Sequence, residues 1–412
     1  MMKKTLVACM IVLSVASSVF AASTAGSADS YKPSVLAYSL TAEPYVATGT
    51  RTMGLGGASL GMDGYSDSFL SNPANLGSMK FQLSIPTVTV TMFNTKNLLE
   101  GKFFDALRTY MSSKDDADLV NVANDLLLTL SNGQNEVERI DAGFNLVAGP
   151  VGFAVQAQQR LFGYLSGSNY TGGNYVAQVT AAATLGFGYR ILLGGDFSLD
   201  LGASAQFVYR MYSETMKAGD ITSIATGDKK WSEDIPLVGG FAFPVKVGLN
   251  VNMPLGLRVS VVGRNLNGKF TYTTYDNFNA FTEGFTVKQL VTPGTNTYTY
   301  DDGYKIDAGL TWELPFGNFG RLFQPTLMFD VLDLRGIDEA DSPFPYHMYA
   351  GAQVRLLSFM DVRYGIAQGY QSVGVGLDLL IFHIDASYWR VQYRGSTKST
   401  DAVSLRFSLI TK

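Results

Sequence analysis

The chain has 412 residues, of which 46% are hydrophobic and 16% charged, with a formal net charge of −4. Charged residues fall well below the roughly one quarter usual in a soluble domain, and the acidic balance argues against nucleic acid as a partner. One cysteine, Cys9, and two isolated histidines, His347 and His383, exclude a disulfide framework and leave too few ligands for a thiolate or His-based metal site.

The chain begins like an exported protein. Met1-Met2-Lys3-Lys4 is a short positive segment, Leu6 to Val15 a short apolar run, and Val19-Phe20-Ala21 a cleavage-like end followed by polar Ser23-Thr24. This order predicts a signal peptide over residues 1–21, whose loss removes Cys9 and two lysines. Leu6-Val7-Ala8-Cys9 has the form of a lipoprotein box but lacks an apolar stretch ahead of it, so lipidation is not expected. Residues 22–79 follow as a separate N-terminal segment. Within it, Gly49 to Leu60 is glycine-rich, and Ser71-Asn72-Pro73-Ala74-Asn75-Leu76 follows. A phosphate-loop reading fails because neither a preceding strand nor a terminal Lys-Ser/Thr is present.

Residues 80–412 read as strands. Mean hydropathy is +0.10, yet no second apolar run is long enough for a transmembrane helix. Apolar residues are dispersed with period two instead. Val245, Val247, Leu249 and Val251 alternate with Lys246, Gly248, Asn250 and Asn252, and similar runs recur down the chain. Fourteen strands are predicted near 81–93, 138–148, 151–161, 175–192, 197–212, 241–252, 255–265, 304–314, 323–332, 347–356, 359–368, 371–381, 383–394 and 402–410. Short connections such as Gly149-Pro150, Gly194-Gly195, Met253-Pro254 and Ser358 alternate with long ones, notably 94–137, 213–240 and 266–303. That asymmetry predicts an all-β fold: a transmembrane antiparallel β-barrel with both termini on the periplasmic side. Gly (43), Tyr (22) and Phe (26) suit its aromatic girdles. Pro86 makes the first strand the least regular.

The first long connection, 94–137, is expected to be a helical insertion. Leu99, Phe103, Leu107 and Tyr110 share helical spacing, as do Leu119, Val122, Leu126 and Leu130. Leu249→Arg or Leu405→Arg, on the lipid face, is expected to cost about 2–4 kcal/mol, and Asn250→Arg in the lumen much less.

Arg51, Gly54, Gly56, Gly57 and Ala58, then Asn72, Pro73 and Ala74, resemble the two N-terminal motifs of the FadL family of outer-membrane transporters and its PorV-like relatives. The resemblance implies that residues 22–79 form, at least in part, a hatch inside the barrel, with Arg51, Gly54, Gly56, Gly57, Asn72, Pro73 and Ala74 as its motif residues. It also implies passive transport of long-chain fatty acids or other hydrophobic small molecules across the outer membrane: capture at apolar loops, passage past the hatch, release through an opening in the barrel. No cofactor or catalytic set is expected, since neither His stands in a nucleophile context. The alternative is an adhesin, scaffold or secretion-associated barrel that binds protein partners through the Tyr- and Thr-rich residues 270–300. One departure is the end Phe407-Ser408-Leu409-Ile410-Thr411-Lys412, where many barrels finish on an aromatic residue.

Overall fold

Strand alternation sorts the side chains into two surfaces, and the sheet that carries them closes on itself. The computed structural model describes residues 49–130, 133–165, 173–284, 297–300, 303–338, 344–392 and 399–411. The expected signal peptide and residues 22–48 of the hatch segment lie outside them, as do residues 285–296 of the Tyr/Thr-rich stretch.

The strands are β1 (Gln82–Phe93), β2 (Gly133–Ala148), β3 (Val151–Leu165), β4 (Asn174–Gly194), β5 (Phe197–Ser213), β6 (Met216–Lys217), β7 (Leu237–Ala242), β8 (Val245–Met253) and β9 (Leu257–Leu266). They continue as β10 (Phe270–Tyr275), β11 (Thr297–Tyr300), β12 (Lys305–Glu313), β13 (Phe323–Val331), β14 (Met348–Leu356), β15 (Met360–Ala367), β16 (Tyr370–Leu379), β17 (Phe382–Val391) and β18 (Thr400–Thr411). All pair antiparallel, and β1 joins both β2 and β18, which closes the barrel. β6 is a two-residue ladder beside β4, β7 continues the wall of β8, and β10 and β11 extend β9 and β12. Fourteen wall spans result, in the predicted order. β1 carries Pro86 at a register shift between Ser84 and Thr87, so an otherwise regular strand bulges there.

On β18, Val403, Leu405 and Phe407 are exposed outward, while Ser404, Arg406 and Ser408 are buried inward. The same division runs round the wall, with Leu185, Phe187, Leu310, Leu327, Val373 and Val375 on the outside. An exposed apolar belt of this extent is a lipid face. No helix among the described residues is long and apolar enough to cross a membrane. Tight turns gather at one end of the barrel, where β1 begins and β18 ends, and long connections gather at the other.

At the loop end, residues 94–130 form three helices, Thr95–Glu100, Phe103–Ser113 and Asp116–Leu128, where the spacing predicted two. Gly101, extended at φ −87° and ψ −176°, ends the first. The register also differs: Leu98 is buried with Phe103 and Val122, while Leu99 is exposed. Leu130 lies past the helix end yet is buried against Leu127 and Val137.

Candidate functional site

The interior is occupied by residues 49–79. Thr50–Gly54 and Ser68–Ser71 are short helices, and Pro73–Ser78 is a 3-10 turn. Asn72 starts that turn: its side-chain oxygen accepts from Ala74 N at 3.0 Å, and Pro73 fills the first helical position. Leu55, Ala58, Phe69, Ala74 and Leu76 are wholly or nearly wholly buried.

The hatch meets the wall at wall glycines. Gly351, Gly365 and Gly374 lie against Leu55, Gly56 and Gly54, and Gly202 lies under Pro73 and Ala74. A Cβ at Gly365 or Gly202 would overlap hatch backbone, so glycine there is a requirement of close approach. On the hatch side Gly56 has φ +67°, and a Cβ on it would stand 2.6 Å from Ile366 N. Gly57, at φ +94°, would strike the Tyr349 ring. The motif residues thus all lie along the hatch–wall contact, but in two groups. Arg51, Gly54, Gly56 and Gly57 face β14–β17, whereas Asn72, Pro73 and Ala74 face β5 and β8.

Polar anchors complete the seating. Asn72 Nδ2 donates to Asn250 Oδ1 at 2.7 Å, and Asn250 Nδ2 donates to Asn75 Oδ1 at 2.9 Å. Asn250 is fully buried, so the expectation of an accessible lumen position that tolerates arginine is corrected: it is where the hatch docks. Asp330 Oδ2 accepts from the backbone N–H groups of Ser59 and Leu60 at 2.7 and 3.0 Å. Arg258 reaches Asp63 at 2.8 Å, and Lys246 Nζ donates to the Leu70 carbonyl.

The densest anchor is a ring of alternating charge on β14–β17. Arg355 meets Asp361 at 2.8 Å, Asp361 meets Arg363 at 2.8 Å, and Arg363 meets Asp385 at 2.6 Å. His383 Nε2 lies 2.6 Å from Asp385, its Nδ1 pairs with Asp378, and Asp378 returns to Arg355 at 3.3 Å. Carboxylates oppose both ring nitrogens, and Arg51 Nη2 lies 3.2 Å from Nε2. The hatch enters this ring through Arg51, 3.2 Å from Asp67 and 3.6 Å from Asp385, and through Tyr65. The Tyr65 hydroxyl donates to Asp361 at 3.1 Å and accepts from Arg355 at 2.8 Å. Asp67 also pairs with Arg406 of β18. Read as a lone histidine, His383 hid its partners. The legible signal was Asp378 and Asp385 flanking one tight turn, which pairs Asp378 with His383 and turns Asp385 inward beside it.

Among the described residues the wall is interrupted between β7 and β8. Pro244, which has no N–H, separates β7 from β8, and opposite it Asn265 at the end of β9 and Asn267 just beyond it adopt left-handed conformations. The ladder stops at Val245 opposite Leu266 and resumes at Phe241 opposite Thr271. A cavity of about 40 Å³ joins the hatch to this break, lined by Leu70, Pro244, Val245, Lys246, Arg264 and Phe270 among others. A second cavity, of about 170 Å³, lies between the hatch and β12–β14 and is polar, with Asp63, Tyr65, Glu313, Gln324 and Arg355 on its lining.

Above the hatch the loop end holds two buried apolar clusters. Leu98, Phe103 and Val122 pack with Leu107 and Tyr110, and Leu127, Leu130, Tyr175, Met216 and Ile235 form an adjoining cluster. Phe270 stacks on Tyr272, which meets Tyr212 edge-on. The sequence foresaw the first of these clusters but not its union with the 213–240 connection.

No protein-family model matches the chain, and no curated protein matches it. Solved structures do. The CymD monoaromatic hydrocarbon channel is 12% identical, with a TM-score of 0.48 over 89% of this chain and 98% of its own. The toluene transporter TodX of Pseudomonas putida is 10% identical, with a TM-score of 0.48 over 90% and 98%. A FadL homologue of Pseudomonas aeruginosa is 12% identical, with a TM-score of 0.40 over 89% and 99%.

Proposed function

We propose that this chain is a bacterial outer-membrane channel for hydrophobic small molecules, long-chain fatty acids among them, working by passive diffusion. The observation that carries the reading is the pairing of a hatch anchored across the barrel with a wall break at Phe243-Pro244, joined by the cavity that begins at Leu70. An apolar solute meets the exposed Leu99, Phe104 and Leu128 of the loop end first, descends to the hatch, and leaves sideways where β7 gives way to β8 and β9 to β10. In the state described, the cavity holds only a few waters. Passage therefore requires the hatch edge at Leu70 to shift, and the Lys246 bond to its carbonyl is the restraint to release. The arrangement asks for no cofactor and no catalytic group. Residues 1–21 are proposed as the export signal and 22–79 as the hatch, with the tight turns toward the periplasm.

The test is uptake of labelled fatty acids and of toluene-like hydrocarbons into liposomes holding the purified protein. Uptake above protein-free liposomes supports the reading. Failure with the whole panel, together with co-purification of a secreted protein, favours the scaffold or secretion-partner alternative.

A further inference from the structure

The tight turns of a barrel ordinarily use Gly, Asn or Asp, because two-residue hairpins need positive φ. Here three of them place a leucine in that region: Leu255 at φ +64°, Leu357 at +52° and Leu380 at +58°. A branched apolar residue is strained in that conformation. None of the three is compensated by burial within the protein, since Leu255 is 72% exposed, Leu357 57%, and Leu380 fully. The neighbouring turns add exposed Leu192, Leu193, Phe319, Leu322 and Ile381. Asp196 and Ser358 are also exposed there, so the rim is mixed but dominated by large apolar side chains.

Two further observations say what covers it. The rim is continuous with the lipid-facing belt: Leu185, Phe187, Tyr189 and Ile191 lead into Leu192 and Leu193, and Val373, Val375 and Leu379 lead into Leu380 and Ile381. The turns also satisfy backbone groups from one another. Leu357 N donates to Leu322 O at 3.0 Å, Asp378 N to Phe359 O at 2.7 Å, and Ile410 N to Ile381 O at 2.8 Å. Trp312 Nε1, the one donor of its ring, is likewise taken by Leu255 O at 3.1 Å. Backbone and indole groups bonded in this way can leave water, which is the condition for entering hydrocarbon.

We propose that the tight-turn end is seated in the acyl-chain layer of its membrane leaflet, so that the barrel has no water-exposed collar at that end. The bound partner is lipid, and the leucines are its contacts. This inference rests on the barrel and its belt and is independent of what the channel carries.

The experiment uses a Cys9→Ser background with single substitutions Leu192→Cys, Leu255→Cys, Leu357→Cys and Leu380→Cys. Each is labelled with an environment-sensitive fluorophore and placed in phosphatidylethanolamine–phosphatidylglycerol vesicles. Val375→Cys on the belt and Lys114→Cys at the loop end are references. Lipids carrying a nitroxide on the acyl chain should quench the turn sites like Val375→Cys and severalfold more than Lys114→Cys, with aqueous iodide showing the reverse. Iodide quenching equal to that of Lys114→Cys overturns the proposal, and so does protection from both quenchers, which would place a protein surface there. With Trp231 and Trp389 replaced by Phe, so that Trp312 is the one emitter, acyl-chain bromines should quench its emission, and absence of that quenching overturns the proposal as well.

Discussion

The Arg51 guanidinium lies over the Tyr65 ring, its carbon 3.2 Å from the ring centroid, so the two hatch residues that enter the wall's charge ring also brace each other. Arg51 is 4% exposed and faces Asp67 and Asp385. Arg51→Leu removes the cation and leaves those carboxylates buried without it, which should cost about 3–5 kcal/mol. Tyr65→Phe keeps the ring but deletes the hydroxyl between Asp361 and Arg355, a loss of about 1.5–3 kcal/mol. Denaturant unfolding in detergent measures both. Ion conductance in planar bilayers should rise more for Arg51→Leu than for Tyr65→Phe.

Wall glycines give a steric test of the hatch. Gly365→Val and Gly202→Val would drive side chains into hatch backbone, costing at least about 1–3 kcal/mol and displacing the hatch. Both should increase ion leakage while leaving the strand content seen by circular dichroism unchanged. Gly219→Ala, in a loop helix with open space around it, is the matched control and should change neither.

Charge placed on the two faces should now behave differently from the sequence expectation. Leu405→Arg, on the exposed belt, retains the expected cost of about 2–4 kcal/mol in bilayers. Asn250→Arg should not be mild, because Asn250 accepts from Asn72 and Ser260 and donates to Asn75 in a fully buried site. Comparable destabilisation of the two variants in bilayer unfolding would agree with the docking role; a near-neutral Asn250→Arg would contradict it.

Lys246 offers a functional handle. Lys246→Met releases the Leu70 carbonyl at the edge of the cavity that reaches the wall break. The expected outcome is a severalfold faster uptake of labelled hydrophobic solute into liposomes, with little change in unfolding. Unchanged uptake would remove this restraint from the route.

The barrel was legible because period-two alternation is a local signal, and each of the fourteen predicted strands has its counterpart. Phe243-Pro244 shows where that signal ended. The apolar phase continued through 241–252, while Pro244 divided β7 from β8, and the register shift at Arg264-Asn265 depends on a partner strand elsewhere in the chain. Glycines of the hatch could be read as sites of close approach, but Gly202, Gly365 and Gly374 could not, since what approaches them comes from a segment more than a hundred residues earlier. His383 was set aside as isolated because its charge partners come from neighbouring strands and from the hatch. The hatch helices are too short for a periodic signature and are held by the wall around them.

The bonds from Thr50 to Ser404, at 2.8 Å, and from Asp67 to Arg406 tie the first described segment of the chain to its last strand. Ser404 also accepts from Thr91 of β1 at 3.1 Å, so the same residue sits at the seam where the first and last strands meet. Hatch and seam are thereby coupled in stability: a chain closed around an empty lumen forfeits the contacts that tie its final strand to the hatch. A plugged barrel is therefore held shut at its seam more firmly than an empty one.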